Sequence, residues 1–422
     1  MSNISHKWHA FVEEMERFVQ PAWRKIDQIV DHNQVKILQY FQKHQISDYH
    51  FQGSTGYGYN DVGREKLEQV YADAFGAEAA LVRPHFASGT HTIAAALFGC
   101  LRPNDRLLYI TGSPYDTLYK VIGEEGDGTG SLRDFGIGYD EVPLTENESL
   151  DWEQIFNKLT PETKVVGIQK SRGYAWRPPI SNQQIAEICS RLKSVRPDLI
   201  IFVDNCYGEF TETTEPCEAG ADLIAGSLIK NPGGGLAETG GYIAGKKELV
   251  ELAANRLTAP GIGGEVGAML GTVRSMFQGL FLAPHFVGQA LKGSVLAAAI
   301  FERLGFETRP RWDDDRSDII QAIRFTSQDH LIKFVQSVQY ASPVDAYVTP
   351  EPGEMPGYEH DVIMAAGTFI QGGSLELTAD APIREPYTAY MQGGLTYSHI
   401  KYMLLHSLQR MEESGLITDG QL

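Results

Sequence analysis

The sequence contains few cysteines and no long apolar run. Its four cysteines, Cys100, Cys189, Cys206 and Cys217, include no close pair of the kind that binds zinc or cycles as a dithiol. They indicate reduced thiols inside a cell. No apolar stretch approaches the roughly 20 residues that span a bilayer, and the N-terminus lacks the apolar core of a signal peptide. We therefore predict a cytoplasmic protein.

Basic residues are also scarce relative to acidic ones. The chain has 36 Lys and Arg but 54 Asp and Glu, which gives a net charge of −18. No face of such a chain is expected to be predominantly basic, which argues against a nucleic-acid or membrane partner. The histidines show no HExxH pattern, so we predict no metal. Residues 240–247 match only the first part of a P-loop, since Lys247 stands where Ser or Thr must hold magnesium.

Two charged residues follow two predicted buried strands. Residues 199–204 are an apolar run that ends in Asp204. Residues 222–230 form a second, short apolar run that contains Ser227, ends in Lys230 and is followed by a glycine-rich bend. A lysine at the end of a buried strand is poorly hydrated, which favours the neutral, nucleophilic amine. An aspartate for a pyridine nitrogen and a lysine for an aldehyde are the groups that pyridoxal 5′-phosphate (PLP) needs most. The pair therefore predicts PLP as cofactor.

Strands and helices alternate around this pair. The alternation predicts an α/β fold whose mostly parallel sheet carries helices on both faces, with the ligand at the carboxyl ends of the strands. Further along, predicted strands at residues 346–349, 362–365 and 374–377 indicate a smaller C-terminal α+β domain. We divide the chain into an N-terminal helical arm with a loop (1–65), a large cofactor-binding domain (66–285) and a small domain (286–422).

Several other residues are candidates for binding, and each has a simpler alternative. Ser88, Gly89 and Thr90 begin a predicted helix, which either seats a phosphate or is merely capped. The glycine-rich loop at residues 51–64 is either a phosphate clamp or a surface turn. Tyr115 either stacks on a cofactor ring or simply packs. Arg384 either clamps a substrate carboxylate or forms a surface salt bridge.

Over nearly its whole length the chain resembles the fold-type I PLP-dependent transferases. Within them it is similar to the cystathionine and methionine γ-lyases of Cys/Met metabolism, above all to the methionine γ-lyase-like "aluminium resistance" branch. The stretches that carry the resemblance are residues 59–64, 82–91, 203–209 and 227–235.

The resemblance implies a role for each candidate. Lys230 would hold the cofactor as a Schiff base, Asp204 would pair with the pyridine nitrogen, and Tyr115 would stack on the ring. Arg384 is a loose match to the substrate-binding arginine. In the lyases a tyrosine and an arginine of the neighbouring subunit complete the phosphate site, which implies a dimer or a homotetramer. The implied phosphate contacts are Ser88, Gly89, Thr90 and Ser227, with Arg64 and either Tyr57 or Tyr59 from the partner.

The implied activity is a carbon–sulfur lyase of the cystathionine β-lyase or methionine γ-lyase type, which converts a sulfur-containing amino acid into a thiol, a 2-oxo acid and ammonia. Ile229 and Asn231 flank Lys230 where the lyases usually have Thr and Tyr, so the amino acid and the choice of β- or γ-elimination stay open. A PLP-dependent synthase, aldolase or aminotransferase is an alternative. Another is a non-catalytic stress protein that retains the fold.

Overall fold

The computed structural model describes residues 4–123, 128–354 and 360–418. The sequence pattern predicts a helical N-terminal arm interrupted at Pro21, and this is confirmed, because one helix ends at Phe18 and the next begins at Gln20. Proline is tolerated there since the first turn of a helix needs no backbone donor.

The helices of the described residues are α1 (His6–Phe18), α2 (Gln20–Lys43), α3 (Val62–Ala74), α4 (Gly89–Cys100), α5 (Asp116–Ile122), α6 (Trp152–Lys158), α7 (Asn182–Val195), α8 (Lys247–Leu257), α9 (Val273–Arg303), α10 (Gln328–Tyr340) and α11 (Tyr397–Glu413).

The larger sheet has seven strands in the order β1-β7-β6-β5-β4-β2-β3. Five strands, from β6 to β3 along this order, are parallel, whereas β7 is antiparallel to both of its neighbours. The mostly parallel sheet is therefore confirmed. Its strands are β1 (Ala79–Arg83), β2 (Arg106–Tyr109), β3 (Gly138–Glu141), β4 (Thr163–Gln169), β5 (Ile200–Asp204), β6 (Leu223–Ser227) and β7 (Gly241–Gly245).

Both faces of this sheet are covered by apolar core. Successive residues of β5 alternate between two clusters: Ile201 and Val203 belong to one, and Ile200 and Phe202 belong to the other. Strands that are buried on both faces need continuous apolar sequence, which explains the run before Asp204. The carboxylate follows at the strand end, where the ligand side of the sheet lies.

The smaller sheet is antiparallel throughout, in the order β10-β11-β12-β9-β8. The predicted strand at 362–365 is confirmed, but those at 346–349 and 374–377 are wrong. In the latter stretch the Glu376 carboxylate accepts the amides of Phe369 and Ile370, so local bonds replace a ladder. The strands are β8 (Glu307–Arg309), β9 (Ile320–Arg324), β10 (Val362–Ala365), β11 (Thr378–Pro382) and β12 (Thr388–Gln392).

Helix α9 runs through the middle of the chain and packs against α2, α11 and the smaller sheet. The predicted domain boundary at residue 286 falls inside this helix, so the three-part division stays a prediction. Within the described ranges, none of the helices is both long and apolar enough to cross a membrane.

Candidate active site

A cavity of about 410 Å³ lies at the carboxyl ends of β5 and β6 and is closed on one side by the smaller sheet. Asp204, Ser227 and Lys230 all line it, together with the start of α4. Residues that are far apart in the sequence therefore meet in one place. A pocket of this size is typical of small-molecule sites in such sheets.

The amine of Lys230 is held by two neighbours. Its Nζ atom donates a hydrogen bond to the Gly373 carbonyl oxygen at 2.9 Å and lies 3.6 Å from the centroid of the Tyr207 ring. The Tyr207 hydroxyl donates to the same carbonyl oxygen, also at 2.9 Å. Burial lowers the pKa of Lys230, against the opposing effect of Cys206 and Asp204. The amine is thus oriented and is more often neutral than that of an exposed lysine.

The glycine-rich bend after Lys230 has a steric reason. Gly234 has a φ of +53°, and a Cβ atom there would overlap the carbonyl oxygen of Gly279 in α9. Only glycine allows the two backbones to come this close. The bend therefore fixes the segment that carries the lysine against the longest helix.

Asp204 is buried at the end of β5, and its Oδ1 atom accepts the backbone N–H of Cys206 at 3.1 Å. Burial raises the pKa of Asp204, and the nearby amine of Lys230 opposes this rise. A buried carboxylate of this kind is stabilised by a cationic partner, such as a protonated pyridine nitrogen. Its chemistry fits PLP.

The start of α4 and the end of β6 form an anion seat. Ser88 caps α4 by accepting the His91 N–H at 3.1 Å, and a Cβ atom on Gly89 would lie only 3.4 Å from the Cβ of Ser227. The Ser227 hydroxyl is buried and has no hydrogen-bond partner among the described residues. An unpaired buried hydroxyl is costly unless a ligand supplies the partner. The seat therefore fits a phosphate group. The Thr90 hydroxyl, which also lines the cavity, is hydrogen-bonded to the Thr117 hydroxyl at 2.7 Å.

The missing partner of Ser227 leads to a first prediction. Replacing Ser227 by Ala should weaken PLP binding by about tenfold, because one hydrogen bond to an anion is lost while none is lost in the apo protein. Titration of the apo protein with PLP, followed by absorbance, measures this. The buried hydroxyl of Ser407 likewise has no partner within the part of the chain that the structure describes, but this residue lies in α11. Ser407→Ala is therefore the control, and equal affinities for the two variants would contradict the assignment.

The predicted phosphate contacts from a partner lie outside this cavity. Tyr57 and Tyr59 are 74% and 61% exposed, with ring centroids 5.7 Å apart. Arg64, by contrast, is 2% exposed, and its guanidinium donates to the carbonyl oxygens of Gly58 at 2.7 Å and Gly267 at 3.0 Å. This burial weighs against a direct contact of Arg64 with a partner's phosphate. All three roles stay predictions.

Tyr115 and Arg384 line a second cavity, of about 340 Å³, which adjoins the first. Tyr115 lines both, and its ring centroid lies 5.7 Å from that of Tyr174. Arg384 is exposed and lines this cavity together with Asp116. Burial raises the pKa of Asp116, and the charge of Arg384 opposes this rise. The stacking role of Tyr115 and the carboxylate-binding role of Arg384 therefore remain predictions.

Sequence reasoning missed the polar side chains that the smaller sheet contributes. Asp380 of β11 lines the same cavity as Lys230. Its Oδ2 atom accepts hydrogen bonds from the Tyr174 hydroxyl at 2.6 Å and from Gln392 Nε2 at 3.2 Å. Burial raises the pKa of Asp380 to about 6. The sequence does contain a signal, because Asp380 is a carboxylate within the apolar stretch before Arg384. The pattern, however, predicts the strand at residues 374–377, four residues before β11 begins.

A buried acid next to the lysine segment gives a second prediction. Glu209 accepts the Tyr242 hydroxyl at 2.8 Å, and its backbone carbonyl accepts Asn231 Nδ2 at 2.9 Å. Burial raises the pKa of Glu209 to about 8. The folded state keeps this proton while the unfolded chain releases it near pH 4.3, so its contribution to stability is lost as the pH rises from about 4.3 to about 8.

Glu209→Gln should therefore lessen the fall in melting temperature between pH 5 and pH 8. Thermal unfolding at several pH values measures this effect. Replacing Glu153 by Gln is the control, because this glutamate is exposed at the surface and lies outside the buried cluster around Glu209. Parallel curves for wild type and Glu209→Gln would show that the proton is not held there.

The fold and the site together define a fold-type I PLP-dependent enzyme. In support of the fold, the chain superposes on the PLP-dependent protein YhfS from Escherichia coli with a TM-score of 0.61 at 19% identity, over 92% of this chain and 97% of that one. The cofactor is pyridoxal 5′-phosphate, and the residues described above fit it.

The chain belongs to the methionine gamma-lyase family, whose model matches residues 8–412. It is 54% identical to the Bacillus subtilis protein YnbB, over 96% of each chain. A structure from Listeria monocytogenes, described as a "putative cystathionine beta-lyase involved in aluminum resistance", is 56% identical, with a TM-score of 0.94 over 95% of this chain and 99% of that one. A carbon-sulfur lyase involved in aluminum resistance from Clostridium novyi is 50% identical, with a TM-score of 0.93 over 97% of each chain.

Proposed function

We propose that the protein is a PLP-dependent carbon–sulfur lyase that eliminates a thiol from a sulfur-containing amino acid and yields a 2-oxo acid and ammonia. The observation that carries the proposal is the oriented amine of Lys230 in one cavity with Asp204 and the anion seat. The names of the similar structures support carbon–sulfur chemistry.

Bound PLP supplies an electron sink for the electrons left at the substrate Cα atom. The chain supplies proton transfer at that atom, because the Lys230 amine has a lowered pKa and hydrogen-bonds Gly373. A neutral amine can take the Cα proton and, once protonated, return a proton to a neighbouring atom. Asp204 would hold the proton on the ring nitrogen, and Tyr115 would cover the ring face.

We further propose a homo-oligomer, a dimer or a homotetramer, whose sites are shared between subunits. Among the described residues that line the main cavity, Lys230 is the only lysine or arginine. A phosphate dianion at Ser88 and Ser227 would thus meet amides and hydroxyls but no guanidinium from the described lining residues. The exposed Tyr57 and Tyr59 are available to a neighbouring subunit, and a partner would complete the anion seat.

The proposal is tested by incubating the purified holoenzyme with L-cysteine, L-methionine and L-cystathionine and measuring 2-oxo acid, thiol and ammonia. Stoichiometric release of all three from one of these substrates is expected. Release of 2-oxo acid without thiol, and only in the presence of a second 2-oxo acid as amino acceptor, would identify an aminotransferase. No product from any of the three would contradict the lyase.

A further inference from the structure

The smaller sheet presents a polar face to the cavity that contains Lys230. Thr378 and Asp380 of β11 and Gln392 of β12 line this cavity, and each is at most 4% exposed. Thr378 pairs directly with Gln392 across the two strands, so the three side chains share one face of the sheet. The proton transfer attributed to Lys230 uses none of them.

This face offers hydrogen-bond acceptors that the protein itself does not use. Both hydrogen bonds to the Asp380 carboxylate reach Oδ2, and within the described ranges none reaches Oδ1. The Thr378 hydroxyl and the Oε1 atom of Gln169, which also line the cavity, are buried without a partner among the described residues. We call Thr378, Asp380 and Gln169 the acceptor wall. Unpaired buried acceptors are stabilised by a ligand that donates.

The negative charge of Asp380 also favours a ligand that donates hydrogen bonds at the acceptor wall. Among the described residues, Lys230 is the only cation that lowers the pKa of Asp380, and its amine also donates a hydrogen bond to the Gly373 carbonyl oxygen. With the pKa of Asp380 at about 6, the carboxylate is mostly ionised at neutral pH. A buried, ionised carboxylate that shares its nearby lysine with another acceptor is a site for a further cationic ligand group.

We infer that the acceptor wall binds an ammonium group on the part of the substrate that leaves with the sulfur, so that Asp380 selects thioether amino acids carrying a second amine. The inference rests on the proposed lyase function. The α-nitrogen of the substrate is committed to the cofactor, so the cation that Asp380 meets must lie beyond the sulfur. Substrates with a plain alkyl group on sulfur leave the acceptors unpaired and bind less well.

The test compares two ligands that differ only in this amine, L-cystathionine and S-(3-carboxypropyl)-L-cysteine. Their affinities are measured by absorbance titration of Lys230→Ala protein loaded with PLP, in which they bind without being converted. L-cystathionine is expected to bind about 10- to 100-fold more tightly. Adding Asp380→Asn should reduce this ratio to within about threefold of unity. Asp329→Asn is the matched control, because Asp329 lies exposed in the first turn of α10, and it should leave the ratio unchanged.

The affinity ratio should also depend on pH in a way that a structural role would not produce. Tyr174, Lys230, Tyr207 and the neutral Gln392 are the groups that face or act on Asp380. The ratio is expected to fall as the pH drops through about 6, because protonated Asp380 attracts no cation. In the Lys230→Ala background the midpoint should lie higher, since Lys230 normally lowers this pKa. Tyr174→Phe should raise this midpoint further, because it removes the hydrogen bond from the Tyr174 hydroxyl to Asp380. If Asp380→Asn fails to fold, the shift of the midpoint in Tyr174→Phe tests the inference instead.

Equal affinities for the two ligands before Asp380 is changed would overturn the inference, as would equal losses for both in Asp380→Asn or failure of both to bind. The lyase proposal fails independently of these results. Wild-type holoenzyme that releases no 2-oxo acid, combined with an intact affinity ratio, would overturn the elimination and leave the recognition of an ammonium group standing.

Discussion

Replacing Lys230 by Ala is expected to lower the rate of 2-oxo acid release by about 1,000-fold or more. The substitution removes both the amine that bonds to the cofactor aldehyde and the group that moves the Cα proton. The amine is oriented by Gly373 and by the Tyr207 ring, so no neighbouring group takes over its position. Initial rates with L-cystathionine, measured for the variant reconstituted with PLP, give the size of the loss.

Lys230→Arg is the informative companion to this variant. It preserves a positive charge but replaces the nucleophilic amine with a guanidinium that stays protonated. If the amine itself acts, the arginine variant should be as inactive as the alanine variant. Substantial activity in Lys230→Arg would mean that only the charge matters, and it would contradict the proposed role.

Gly373→Ala is expected to lower kcat by about 10- to 100-fold while the protein stays folded. A Cβ atom at this position would lie 2.7 Å from the Tyr207 hydroxyl and 3.5 Å from Lys230 Nζ. The methyl group would displace the tyrosine and disturb the carbonyl oxygen that orients the amine, and misplacement by about 1 Å can cost about 100-fold in rate. Steady-state kinetics and thermal unfolding separate the loss of rate from a loss of stability.

Gly353→Ala is a suitable control for this variant. Gly353 also lies in the C-terminal part of the chain, and a Cβ atom there would meet no atom within 4 Å. Its activity should equal that of wild type. A Gly373→Ala enzyme with unchanged kcat would show that the orientation of Lys230 by the Gly373 carbonyl oxygen is unimportant.

The larger sheet and its ligand edge could be predicted because their signals are local. Apolar runs that end in Asp204 and Ser227 mark buried strands, and the carboxyl ends of parallel strands must share an edge. The break at Pro21 is local for the same reason. Placement of Lys230 beside Asp204 follows from these elements alone.

The contribution of the smaller sheet could not be predicted, because it depends on contacts between distant segments. Asp380 reaches the cavity only because β11 begins at Thr378, after Glu376 has used its carboxylate to close a loop. The burial of Arg64 is likewise set by carbonyl groups of residues 265–267, which lie far along the chain. The residues that neighbour Asp380 and Arg64 in the sequence therefore do not indicate the position of the one or the burial of the other.

Lys230 is expected to be the residue that holds the cofactor, and reduction with borohydride tests this role most directly. Treating the PLP-loaded protein with borohydride and then mapping its peptides by mass spectrometry locates the reduced pyridoxyl phosphate. One modified site is expected, on the peptide that contains Lys230. Modification of another lysine, such as the buried Lys170, or of none would contradict it.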